Sequence, residues 1–124
     1  MANGQDGTRR AYASDANYSV DGTGQYRAVK RTATGVILCG AADIDFLGIL
    51  QDDPALGEAA TVKTDGATKA VAGGAIVITD ELTTDAAGRI VAATTGQVIV
   101  GRPLEVASGT GVVFAMEIRA GGTK

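Results

Sequence analysis

From residue 25 onward no segment of this chain sustains a helical period. Short apolar alternations are cut instead by Gly, Asp and Pro signals about every eight to twelve residues. QYRAVKR (25–31) alternates, with Arg27, Val29 and Arg31 on one face. VILCG (36–40) is a continuous apolar run and reads as a buried strand. DFLGILQ (45–51) follows, then DDPALGE, a turn marked by Pro54 and Gly57. ALGEAA (55–60) has room for one helical turn at most. AATVKT (59–64) and TKAVA (68–72) flank Asp65-Gly66, which predicts a two-residue hairpin. AIVIT (75–79) predicts another strand, and ELTT and RIVAA flank a corner at Asp85–Gly88. VIVGRPLEV (98–106) contains Gly101 and Pro103, which predicts a bulge or an edge strand. In GVVFAMEIR (111–119), Val112, Phe114, Met116 and Ile118 face one way and Glu117 and Arg119 the other. The pattern predicts an all-β fold, a small β-barrel or sandwich of short antiparallel strands.

At 124 residues the chain has the length of one domain. Residues 1–24 show no period and are rich in Gly, Asn, Asp and Ser, with Tyr12 and Tyr18 as isolated anchors. They read as an extended N-terminal arm on a β domain spanning 25–124. Hydrophobic residues make up 45%, but much of that is alanine and aromatics are only 4%. Alanine buries little apolar area, so the core is thin and stability borrowed from neighbours is expected.

One device occurs twice. Residues 62–71 read VKTDGATKAV and residues 82–91 read LTTDAAGRIV. Each strand ends in Thr-Asp, turns, and restarts at a basic residue. Lys69 beyond an Asp-Gly corner is where some β domains carry a prosthetic group. Such carriers flank the lysine with pairs such as Met-Lys-Met, whereas Thr68 and Ala70 stand here. Arg89 in the second copy cannot be acylated. Both corners read as turn chemistry, with Asp bonding its own backbone and Gly supplying positive φ.

The charge is uneven. Residues 1–31 hold five basic and three acidic residues, for +2, and the remainder hold six basic and eleven acidic, for −5. A net −3 and sparse aromatics disfavour a nucleic-acid binder. With no histidine, Ser-His-Asp and Cys-His catalysis lack their base, and His-ligated zinc is excluded. Cys39 is the single cysteine, so no internal disulfide forms; within VILCG it reads as a buried small hydrophobe. No apolar run approaches the ~20 residues of a membrane helix. The opening MANGQDGTRR has neither a signal peptide's apolar segment nor a Met-Gly start. No phosphate-binding glycine motif and no EF-hand spacing occur. No cofactor is expected.

The order of segments resembles a known family. FLGILQ is followed by DDPALGEAATVKTDG, AVAGGAI, ELTTDAAGRIVAATTGQVIVGRPLEVASGTG and a last alternating strand, FAMEIR. This is similar to the capsid cement, or head decoration, proteins of tailed bacteriophages, over roughly residues 26 to 119. Pro103 in GRPLE departs from the alanine expected there. The resemblance implies a structural, non-enzymatic protein on the outer surface of the virion capsid. It would bind an expanded phage head, bridge major capsid protein subunits and stabilise the shell, often as a trimer. No direct nucleic-acid or membrane partner is implied.

The candidate capsid-contact residues lie in the arm and first strand: Arg9, Arg10, Tyr12, Tyr18, Tyr26 and Arg27. Tyr and Arg are favoured interface anchors, and an arm can add a strand to a neighbour's sheet edge. Two other classes remain open from the residues. One is a small β carrier or carbohydrate-binding module, using Lys69 or a shallow face. The other is an enzyme built on Asp43, Asp45, Asp52 and Asp53.

Overall fold

The computed structural model describes residues 9–19 and 24–124. Ten strands run in chain order: β1 Arg9–Ala13, β2 Ala28–Arg31, β3 Val36–Leu38, β4 Phe46–Leu50, β5 Ala59–Lys63, β6 Gly66–Val71, β7 Leu82–Thr84, β8 Ile90–Ala92, β9 Gly101–Pro103 and β10 Val113–Ile118. They form two five-stranded sheets, β1-β5-β4-β2-β3 and β6-β10-β9-β7-β8. Every strand pairing is antiparallel. The two sheets pack together as a small all-β sandwich, as the turn spacing predicts. Neither closes into a barrel, but each curls until its edge strands meet at one parallel bridge. These bridges are Ser14 to Val36 and Ala72 to Ile90.

The two sheet orders are the same order taken five strands later. The chain is therefore two copies of one unit, residues 9–63 and 66–118. The correspondence reaches single hydrogen bonds. Ser14 N–H donates to Glu58 C=O at 2.9 Å, and Ala72 N–H to Val112 C=O at 2.8 Å. Gly57 N–H donates to Ser14 C=O at 2.8 Å, and Gly111 N–H to Ala72 C=O at 2.7 Å. Gly57 and Gly111 have φ of 82° and 87°, a conformation that favours glycine. Tyr18 N–H donates to Pro54 C=O, and Ile76 N–H to Ala107 C=O.

Each half has its own core. Tyr18, Val29, Val36, Leu50, Ala60 and Val62 are buried together in the first half. Ile76, Leu82, Ile90, Phe114 and Met116 fill the same kind of space in the second. Ala28, Cys39 and Ile49 of the first half join the second cluster and hold the halves together. So β2 and β4 are buried on both faces: Ala28 and Ile49 point one way, Val29 and Leu50 the other. A doubly buried strand needs an unbroken apolar run, which is what FLGIL supplies.

The structure corrects four local expectations. Asp65-Gly66 is no hairpin turn. β5 pairs with β1 and β4 while β6 pairs with β10, so this corner is the crossover between sheets. AIVIT is not a strand: Ile76 makes a single bridge to Ala107 and a turn follows. Gly101–Pro103 lies inside its sheet rather than at an edge, between β10 and β7. A bulge does follow it, since the N–H groups of Leu104 and Glu105 both donate to Ala115 C=O. In the last strand Phe114, Met116 and Ile118 are buried as expected, but Val112 precedes the strand.

Within the span read as an arm, Arg9–Ala13 pairs with β5 along its whole length. Tyr18 is 8% exposed and belongs to the first core. Residues 1–8 and 20–23 of that span lie outside the described residues.

Candidate functional site

Backbone pairing decides what each candidate residue can reach. On β1, Arg9 and Arg10 are exposed and Tyr12 is half-buried. Among the described residues neither arginine has an ion-pair partner. Tyr12 rests against the first core and carries the Arg31 guanidinium 5.1 Å from its ring centroid. That spacing suits a cation–π contact. The hairpin between β2 and β3 brings Arg31 beside β1, where the seam at Ser14 and Val36 joins the two edges. A shallow hollow lined by Ala11, Tyr12, Ala13, Gly57 and Ala59 lies along this edge. The arrangement is a basic, aromatic-centred edge that can bind an acidic surface.

The other three candidates make contacts within the fold, Tyr18 buried and Tyr26 and Arg27 half-exposed. The Tyr18 hydroxyl accepts from Leu38 N–H at 3.0 Å inside the core. Tyr26 takes a φ of 64°, donates its N–H to Leu50 C=O, and accepts from Val71 N–H. Arg27 donates from Nη1 to Ala87 C=O at 3.3 Å. Both therefore sit at the junction of the halves. Arg31 completes the basic edge, although the alternation of 25–31 grouped it only with Arg27 and Val29. The sequence signal that could have found it is the short turn at 32–35, which folds the strand end back.

Lys69 is exposed on β6 and lies 6.0 Å from the Tyr26 ring centroid. Arg89 is paired to Asp85 at 3.0 Å, an ion pair that fixes the corner. The acidic candidates are dispersed into loop fastening. Asp52 accepts from Thr61 N–H and Asp53 from Gln25 N–H. Among the described residues no group of three or more His, Cys, Asp or Glu is set to hold a metal.

Asp43 centres a charged cluster with Lys30. Burial pushes its carboxyl up, but the N–H groups of Gly40 and Asp45 and the Lys30 ammonium at 3.0 Å outweigh that. Its pKa is held below the ordinary carboxylate value, and the Asp43 hydrogen bond raises that of Lys30. Burial, and then Asp43, push the Cys39 thiol up to about 12, so the thiol stays neutral and poorly nucleophilic. A depressed carboxylate contributes stability that is present above its unfolded pKa of about 3.9 and is lost as pH falls through its folded value. We expect Asp43→Asn to lower stability at pH 7 and to flatten the acid limb of the stability curve. Urea midpoints measured from pH 7 down to about 2 check this. An unchanged pH dependence would remove Asp43 from the account.

With the fold in hand, the class is defined: a two-unit β sandwich with a basic edge on its first unit. No family model and no curated protein sequence matches the chain. Among solved structures it is similar to the N base of head fiber gp8.5 in bacteriophage phi29. The TM-score is 0.67 at 20% sequence identity, covering 90% of this chain and 95% of that one. The likeness is one of fold.

Proposed function

We propose that this chain is a structural protein of a tailed-phage virion, attached to the outside of the head. It binds the major capsid protein, bridges its subunits as a homo-oligomer, and needs neither catalysis nor a cofactor. The observation that carries this reading is the fold likeness to a phage head-fiber base across nearly the whole of both chains. The motif order of the sequence points independently to the head-decoration family. The basic edge at Arg9, Arg10 and Arg31 supplies a contact surface, since these arginines are exposed. Attachment to the assembled shell alone stabilises that state by mass action. Many weak contacts suffice when attachment is multivalent.

The test is co-sedimentation with expanded heads stripped of decoration, with unexpanded proheads as control. Saturable binding to expanded heads is expected. Arg9→Glu with Arg10→Glu should weaken it at least about tenfold, since rim charges across an interface act on encounter and register. Absence of binding to either particle would overturn the reading.

A further inference from the structure

The contact between the two halves is head-to-tail. A face of the first half, carried by Tyr26–Ala28, Gly40–Asp43 and Gln51, covers the curled seam of the second. Val71 N–H donates to Tyr26 C=O at 2.9 Å and Ala28 N–H to Gly88 C=O at 2.7 Å. Gln51 donates to the Thr68 hydroxyl at 2.9 Å, and Ala42 N–H to Thr84 C=O at 2.8 Å. Among the described residues, the first half's own seam, between β1 and β3, has no such cover. The second half's corresponding face, around Thr79–Glu81 and Leu104, likewise covers nothing among the described residues.

The residues record the difference. Strand registers place buried Thr68 and Thr84 on the covered seam where Arg10 and Arg31 stand on the open one, while Arg9 matches Ala67, which is exposed. The covered seam carries threonines at these two places, and the open one carries two arginines with Asp15 nearby. The two faces differ in the same manner. The covering face buries Ala28, Cys39 and Ile49. At the same places the second half has Glu81, Ala93 and Arg102, with Glu81 and Arg102 paired at 3.2 Å. Asp80 stands where the covering face has Arg27, so two acids stand against one arginine. Ile78 and Leu104 are 52% and 51% exposed at its rim. The molecule thus carries an open basic seam and an open acidic face, the two surfaces that its internal contact joins.

We propose that a second copy of this chain docks its acidic second-half face onto the basic first-half seam, repeating the internal contact from molecule to molecule. Such a contact is heterologous and generates a ring where the rotation closes. Opposite charge steers the encounter and fixes register, and high salt weakens it. The inference deepens the homo-oligomer part of the function proposed above. Because it is measured on free protein, its failure is distinct from a failure to bind heads.

The test is sedimentation velocity on the full chain up to its solubility limit, at low and high salt. Concentration-dependent association that salt weakens is expected. Arg10→Glu with Arg31→Glu on the seam should weaken it about tenfold or more, and so should Asp80→Lys with Leu104→Lys on the face. An equimolar mixture of the two variants should regain association with the two alternating, and a chain carrying all four changes should regain self-association. Circular dichroism and thermal melts check that each variant is folded. A wild-type chain that stays monomeric at low salt overturns the proposal. Association untouched by either pair of changes, or not regained by the fourfold variant, overturns it equally.

Discussion

Gly48→Ala and Gly101→Ala each cost the fold about 3 kcal/mol, a large fraction of the stability of an ordinary domain. A Cβ on Gly48 would stand 2.3 Å from the Lys63 carbonyl oxygen, and one on Gly101 would stand 2.2 Å from that of Glu117. Both obstructions are backbone atoms of the neighbouring strand, so no rotamer change relieves them. The two positions are the same position in the two halves: Gly48 pairs with Val29, and Gly101 with Leu82. Here the curl of each sheet brings β4 onto β5, and β9 onto β10, closer than a side chain allows. Gly74→Ala is the control, since nothing lies within 4 Å of its added Cβ. Urea unfolding of the three variants decides the matter. Equal midpoints for all three would show that the sheets relax around the methyl group.

Tyr18→Ala lowers stability by about 3–5 kcal/mol, the range for losing a buried aromatic side chain. Tyr18→Phe keeps the ring but leaves Leu38 N–H without its acceptor, at a cost of about 1–3 kcal/mol. The pair separates packing from hydrogen bonding, and urea midpoints measure both. A near-neutral Tyr18→Ala would show that residues 14–18 are an accessory to the first core. The same geometry governs how the arm can be studied. Deleting residues 1–24 removes β1 from β5 and the Tyr18 ring from the first core together. The truncated chain would lose its fold along with any contact surface. Charge changes at exposed Arg9 and Arg10 leave that packing in place, and sedimentation of the free variants separates their effect on self-association from that on head binding.

The internal duplication has a functional consequence. Two copies of one unit could bury equivalent faces symmetrically, yet these pack face onto seam. Asymmetric packing leaves one surface of each kind unsatisfied, and the chain marks them with opposite charge. A lone unit of this size would bury little area and be marginal by itself. The shared cluster through Ala28, Cys39 and Ile49 supplies what the thin alanine-rich composition lacks.

The sequence by itself determined the fold class. Turn residues and period-two alternation are local properties, so the strands at Phe46–Leu50, Ala59–Lys63 and Val113–Ile118 were legible from spacing alone. It also placed Cys39 in the interior and Arg9, Arg10 and Tyr12 on a common segment. The repeat visible in it, 62–71 against 82–91, relates the crossover between sheets to a hairpin and is not the structural repeat. The true repeat sets Tyr18 against Ile76, Val29 against Leu82 and Ala60 against Phe114. A core position constrains burial and volume rather than identity, so these pairs share no letters to align. Only the tertiary structure decided which strands joined which sheet, because Asp65-Gly66 satisfies its turn chemistry in a crossover as well as in a hairpin. The same is true of Tyr18, Tyr26 and Arg27, whose side chains suit a binding surface. Long-range pairing buried Tyr18 in the first core and set half-exposed Tyr26 and Arg27 at the junction of the halves.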